Sequence, residues 1–504
     1  MNERKIGIFI GYLNIFLQTL IGFLYVPMLL SFIGKSGYGL YQLIGSFIAY
    51  FGVMDFGLSS AIVRYYSKFK SEKNFVGIEN LLAISMRFYF LISVVVIVMG
   101  ILLYYNLECL FRDTLNTNEI QVAKELFILL LFNLVLNITT MVFRAVINGH
   151  ERFIFLKGLE TIQLILQPVF VFLFLNFYPS AVTVAIVQTA FNLFIIIARV
   201  YYCFSIIKIK IKFHKWDKEL LNGFRVLATS IFIVSLVDKI FYKTNQVVLG
   251  SIVGADAVAV YSIAALIYMN YAAISEAVSS VYLPYITKII GEKDFLQQIS
   301  SLFIQIGRWQ FYMLGLVASG FVIFGNQFIK IWAGNGFEEA YWITLLIIVP
   351  FTIDLIQNIG LSIMQAQNKY DFRAKVYFCM GIFNLLLAIP LANEYGGIGC
   401  AFATGLTMFL GNGLIMNWYY AKVTGLDIKN FWIQIGKMSI GVIGIMITGY
   451  LFNNMFVSQS LFWYSAKILL YTFVYVLVLY KWFMNEMEKT KVNLVLAKLF
   501  GCLS

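Results

Sequence analysis

The sequence predicts an all-α polytopic membrane protein. Fourteen transmembrane helices are expected, as two pseudo-symmetric six-helix lobes plus two C-terminal helices around a central cavity. Three observations predict it. First, 61% of the 504 residues are hydrophobic and 12% charged, with a mean hydropathy of +0.83. A soluble domain has roughly 45–50% apolar and about 25% charged residues, and so few charges cannot build a soluble exterior. Second, fourteen apolar runs reach the ~20 residues that a bilayer core requires of a helix. Third, with the N-terminus inside, 25 of the 37 Lys and Arg fall in cytoplasmic segments and 3 (Lys35, Arg112, Lys330) in outer loops. That is the positive-inside bias, and an odd number of spans would scramble it. Both termini are then cytoplasmic.

The runs are 6–31, 38–66, 81–105, 122–147, 154–176, 180–205, 224–251, 257–284, 301–325, 340–365, 373–392, 396–420, 432–452 and 461–481. They are continuous and too long for β-barrel strands, which alternate over about ten residues. The first is too long for a cleaved signal peptide. Several carry polar residues at helical spacing, so that one face is polar. The first has Asn14, Gln18 and Tyr25, and the second Asp55. The fourth has Asn133, Asn137, Thr140 and Arg144; the fifth has Glu160, Gln163 and Gln167; the sixth has Gln188, Asn192 and Arg199. The eighth has Glu276, and the tenth has Asp354, Asn358 and Gln365. Such stripes imply a shared hydrated interior; hydrogen-bonded glue between helices is the alternative use.

The seventh run holds Asp238, Lys239, Tyr242, Lys243, Asn245 and Gln246. A charge at mid-membrane costs about 2.5–3.5 kcal/mol, while Leu or Ile returns only about 0.3–0.6. Three charges therefore cost roughly 9 kcal/mol, so this helix cannot present them to lipid. Lys239 and Lys243 are four apart and cannot neutralise each other, and a buried structural ion pair is the competing reading. Counting also Arg87, Arg144, Arg199 and Arg308, the interior carries an excess of positive charge over Asp55, Glu160, Asp238, Glu276 and Asp354. Lys124, Lys437 and Lys467 lie near span ends, where they can snorkel. A cationic interior suits an anionic ligand, above all a phosphate. The candidate binding cations are Lys239, Lys243, Arg144, Arg199, Arg87 and Arg308. The candidate cavity polar groups are Asn133, Asn137, Gln188, Asn192, Asn245, Gln246 and Asn358. Asp55, Glu276 and Asp354 are the candidates for ion coupling.

An internal repeat supports two like lobes. At an offset of 220, Ser71-Glu72-Lys73-Asn74-Phe75 lies over Gly291-Glu292-Lys293-Asp294-Phe295, and Tyr41, Ser59-Ser60 and Lys68 lie over Tyr261, Ser279-Ser280 and Lys288. Six spans separate the copies, so both have the same orientation. The expected divisions are an N-terminal lobe 1–207, a basic cytoplasmic linker 208–223 with five lysines (Lys208, Lys210, Lys212, Lys215, Lys218), a C-terminal lobe 224–421, and helices thirteen and fourteen with a cytoplasmic tail, 422–504. The tail from Asn485 reads either as an amphipathic helix on the inner surface or as a frayed end.

At this point the chain resembles the polysaccharide/O-antigen flippase family (Wzx-type) of the multidrug/oligosaccharidyl-lipid/polysaccharide exporter superfamily. Three groups of residues carry the resemblance. They are Gly37-Tyr38-Gly39-Leu40-Tyr41 with Met54-Asp55-Phe56-Gly57-Leu58 through Arg64; Asn148-Gly149 before Arg152; and Val248-Leu249-Gly250 with Tyr261-Ser262-Ile263-Ala264. These motifs are degenerate and point to the superfamily more sharply than to a substrate. The resemblance implies alternating access, an undecaprenyl-diphosphate-linked oligosaccharide as substrate and a bacterial inner (plasma) membrane. The implied partners are that lipid-linked glycan, the lipid bilayer and other polysaccharide assembly proteins.

A small-molecule drug/cation antiporter of the same superfamily is the alternative, but it would favour acidic cavity residues and usually twelve spans. A membrane glycosyl polymerase is less favoured, since the longest outer loop runs only from about Asn106 to Gln121, with neither an Asp-x-Asp pair nor a catalytic His. No enzyme activity and no cofactor are expected. Gly34-Lys35-Ser36 lacks the upstream glycine of a phosphate-binding loop. The five cysteines form no C-x-x-C pair, and two histidines (His150, His214) make a poor metal site. The net charge of +12 is explained by topology, so nucleic acid is not an expected partner.

Overall fold

The computed structural model describes residues 3–279, 281–290, 292, 294–367, 369–455 and 461–499. Among the described residues there is no strand. The helices are α1 (Glu3–Phe51), α2 (Leu58–Ser71), α3 (Phe75–Phe111), α4 (Thr117–Gly149), α5 (Phe153–Leu175), α6 (Ala181–Tyr201), α7 (Lys218–Ile252), α8 (Ala255–Ser279), α9 (Leu283–Ile289), α10 (Phe295–Trp332), α11 (Glu339–Leu355), α12 (Ile359–Ala366), α13 (Tyr370–Met408), α14 (Asn417–Tyr419), α15 (Ile428–Met455), α16 (Leu461–Val478) and α17 (Glu486–Leu499). Lipid offers the backbone no hydrogen bonds, so spanning segments of this composition close their bonds within each helix. Polar residues mark the starts. Asn116 and Glu119 form a reciprocal cap on α4, and Asn74 and Ser180 cap α3 and α6.

Among the described residues ten helices are long and apolar enough to cross a membrane, or eleven if α11 and α12, bent by 42° at their junction, count as one span. The expected fourteen therefore do not appear as fourteen separate helices. The first two runs lie in α1 and α2, joined through a 3₁₀ turn at Gly52–Asp55. α1 itself continues through Gly34, whose backbone (φ 71, ψ −178) is non-helical and favours a residue with no side chain. α13 contains the eleventh and twelfth runs across Gly396 (φ 55, ψ −131). α7 carries the seventh run with its charges and falls outside the ten.

The chain forms two compact units. One is 1–262 with 384–400, and the other is 263–383 with 401–504. In the first, α1 meets the start of α8 backbone to backbone, since a β-carbon on Gly39 would collide with the Ala255 carbonyl. Gly250 of α7 is likewise covered by Leu43. In the second unit, α17 is fastened to α10. Arg308 Nε and Nη2 each donate to Glu488 at 2.7 Å, Nη1 donates to Gln434 at 3.2 Å, and Nη2 also donates to Tyr312 at 2.8 Å and the Phe483 carbonyl at 2.9 Å. Glu488 is 1% exposed. Burial works against its charge, but Arg308, the Asn485 N–H and Tyr312 outweigh it and hold the carboxyl below its usual range. The tail up to Leu499 is therefore an anchored helix.

Candidate functional site

In the first unit the polar stripes of α1, α4, α5 and α6 converge. A cavity of about 440 Å³ opens between α1 and α5, lined by Asn14, Gln18, Tyr25, Glu160, Gln163 and Gln167 with Ile21, Gly22, Leu164 and Pro168. The spacing is responsible: 14, 18 and 25 share one face of α1, and 160, 163 and 167 share one face of α5. Hydrogen bonds continue the polar surface behind α5. Gln163 Nε2 donates to Gln167 (3.0 Å) and Asn192 (3.4 Å), Asn192 donates to Asn133 (3.3 Å), and Asn133 donates to Thr189 (2.7 Å). Asn137 donates to the Asn133 carbonyl at 3.0 Å, and Tyr41 donates to Gln188 at 2.7 Å. Thr161 Oγ donates to Asn14 at 2.6 Å and ties α5 to α1.

Cations gather at one acid of this cavity. Glu160 accepts from Lys157 at 2.7 Å and from Arg144 at 3.2 Å, and it also feels the charge of Arg199. Two positive groups thus share one carboxylate, with Arg199 a third within electrostatic reach. Arg199 Nε and Tyr25 Oη are buried with no hydrogen-bond partner among the described residues. Buried donors without partners are costly, so both retain capacity for one more hydrogen bond. Arg144 stays 44% exposed and keeps donors free for an anion.

The other sequence-predicted residues lie apart from this cavity. Lys239 and Lys243 of α7 are half-buried and do not line it. Lys243 Nζ donates to Gln246 at 3.2 Å, Gln246 Nε2 donates to Ser262 at 2.9 Å, and Ser46 donates to Gln246. Asn245 donates to Tyr261 at 2.7 Å. This is a buried polar seam where α7 meets α1 and the start of α8. Asp55 accepts from Tyr89 (2.8 Å) and Ser59 (3.1 Å) beside the break that follows α1. Glu276 is exposed on α8. Asp354 and the half-buried Asn358 flank the bend between α11 and α12; Asp354 accepts from Tyr377 at 2.9 Å, and Arg373 donates to the same hydroxyl at 2.8 Å. Arg87 stacks on Phe213 at 3.6 Å, and Arg308 is committed to Glu488. Among the described residues no group of three or more His, Cys, Asp or Glu could hold a metal.

Residues 6–290 match the family of polysaccharide biosynthesis proteins. The chain belongs to that family. Over 426 residues, 81% of this chain and 95% of the relative, it is 23% identical to a Shigella flexneri protein assigned provisionally by name to O-antigen transport. Its fold is similar to that of the lipid II flippase MurJ in an inward closed conformation, with a TM-score of 0.72 at 16% identity over 94% of this chain and 98% of that one. It is also similar to an inward-facing multidrug-resistance transporter of the MATE family and MOP superfamily, with a TM-score of 0.63 at 12% identity over 82% and 96%. The chain is thus a multi-pass membrane protein of the polysaccharide biosynthesis family with a MurJ/MATE-like helical fold.

Three contributors to the site escaped the sequence reading. Lys157, counted among the 25 cytoplasmic cations and not among the candidate binding groups, sits three residues before Glu160, the spacing of a helical ion pair. Thr161 and Thr189 gave no signal, because a hydroxyl in a helix can be satisfied by its own backbone.

Proposed function

We propose that this member of the polysaccharide biosynthesis family is a flippase. It moves undecaprenyl-diphosphate-linked oligosaccharide repeat units from the inner to the outer leaflet of a bacterial inner membrane by alternating access. The observation that carries the reading is the polar-lined cavity of about 440 Å³ with Arg144 and Lys157 on the carboxylate of Glu160 and Arg199 within its electrostatic reach. Sugar hydroxyls cannot enter hydrocarbon without hydrogen-bond partners; Asn and Gln side chains supply them, and the surplus cations suit a diphosphate. The same surplus disfavours a drug/cation antiporter. With the inside negative, each negative charge carried outward gains about 2.3 kcal/mol per 100 mV. Lys239 and Lys243 are the second cationic pair proposed to meet the headgroup. Asp55, Glu276 and Asp354 are the acids proposed to couple an ion to the cycle.

The proposal includes fourteen spans with both termini cytoplasmic and two six-helix lobes. α1 has 49 residues and would be about 74 Å long if straight, against about 30 Å of hydrocarbon, so it is read as two spans hinged at Gly34. α13 is divided in the same way at Gly396, and α7 and the bent pair α11–α12 each supply one span. Other polysaccharide assembly proteins are the proposed partners.

The test is deletion of the protein, followed by analysis of the lipid-linked glycan. Complete repeat units accumulating on the inner leaflet are expected. Normal delivery outside with only shortened glycan chains would point to a polymerase instead.

A further inference from the structure

The segment 208–217, between α6 and α7, is non-helical and is held along α3. The Asn80 side chain accepts from the backbone N–H groups of His214 (3.0 Å) and Lys215 (3.2 Å) and donates to the Lys215 carbonyl (2.9 Å). Glu79 meets the His214 ring at 2.9 Å. Arg87 stacks on Phe213 at 3.6 Å and lies 5.7 Å from the Trp216 ring. Exposure alternates with a period of two: Lys208, Lys210 and Lys212 are exposed, and Ile209, Ile211 and Phe213 are half-buried. Lys208 itself turns the chain in the left-handed conformation (φ 59), and from Ile209 onward this is the signature of an extended chain with one seated and one free face. Among the described residues no acid pairs with these three lysines.

The row begins where the membrane span Ala181–Ile207 ends. Apolar residues flank it on both sides, Phe204 and Ile206 before and Trp216 after, each about half exposed. Tryptophan in such a position sits at headgroup level. We propose that this strap is a binding site for anionic phospholipid headgroups, formed by Lys208, Lys210 and Lys212 held in a row by Asn80 and Arg87. Charge complementarity selects the occupant: a fixed ladder of unpaired ammonium groups at the membrane surface faces phosphodiester headgroups.

Native mass spectrometry of the full-length protein, titrated with phosphatidylglycerol or phosphatidylcholine, tests this. The wild type should retain phosphatidylglycerol preferentially, and less so as salt rises. Each lysine near an anionic surface is worth about fivefold, so the triple variant Lys208→Gln, Lys210→Gln, Lys212→Gln should lose roughly 100-fold. A Lys489→Gln, Lys491→Gln variant should keep the preference. Equal retention by wild type and triple variant, or no preference in the wild type, overturns the proposal. So does undecaprenyl diphosphate binding that needs these lysines when phosphatidylglycerol binding does not.

Discussion

Two arginine neighbourhoods in this protein look alike in the sequence and differ in the fold. Arg308 in α10 and Arg199 in α6 both interrupt apolar runs. Arg308 has Glu488, Gln434, Tyr312 and the Phe483 carbonyl around its guanidinium. Arg199 has a buried Nε with no hydrogen-bond partner among the described residues, and it lies within electrostatic reach of Glu160, which Arg144 and Lys157 contact directly. A saturated guanidinium is a fastening. An undersaturated one beside a polar cavity has capacity left for an anion. What separates a structural cation from a binding one is the completeness of its partners.

The comparison can be broken at its strongest point first. Arg308→Ala should destabilise the fold by about 3–5 kcal/mol, because it strands the buried Glu488 carboxylate. Thermal unfolding of the purified protein measures the loss, and an apolar pair, Arg308→Met with Glu488→Leu, should recover much of it. A negligible change in Arg308→Ala would dissolve the contrast. Next, Arg144→Ala with Arg199→Ala should leave thermal unfolding within about 1 kcal/mol of wild type. Glycan export should nevertheless fall by about 10-fold or more, since a charged hydrogen bond to a ligand is worth about 1.5–3 kcal/mol. Unfolding without a transport phenotype would make these arginines structural as well.

The smallest effect sharpens the picture of surplus positive charge in the first unit. His150, at the end of α4, is flanked by Lys70 (3.1 Å to Nδ1) and Tyr66 (2.8 Å to Nε2). Burial, then Lys70 and Arg152, lower its pKa from the ordinary 6.5 to about 4. Because the folded state resists protonation, the unfolded state takes up the proton first. Stability should therefore fall as pH drops from about 6.5 to about 4, and this residue should contribute no pH dependence above that window. His150→Gln should flatten that part of a pH–stability profile.

Much of the cavity was legible because helical periodicity is local. Asn14 with Gln18, Glu160 with Gln163, and Asn133 with Asn137 announce a shared face within one or two turns. The helical class was legible from run length alone. Partners far along the chain were not. Glu488 stands 180 residues from Arg308, in a tail whose mixed composition suited a loose surface helix equally well. Arg87 looked like a free cation because stacking on Phe213 leaves no mark in hydropathy. The breaks near Gly34 and Gly396 were read from the gaps between runs, but not that the chain passes each one without leaving the helix, as a single non-helical glycine.

The close approach of Gly39 to Ala255 bears on how such a molecule can work. Where two backbones touch with no side chain between them, the helices approach more closely than any other residue would allow. Gly39 meets the Ala255 backbone and Gly250 meets the Leu43 side chain, so both glycines sit at close helix contacts. A side chain larger than hydrogen at position 39 would have to push α1 away from the start of α8.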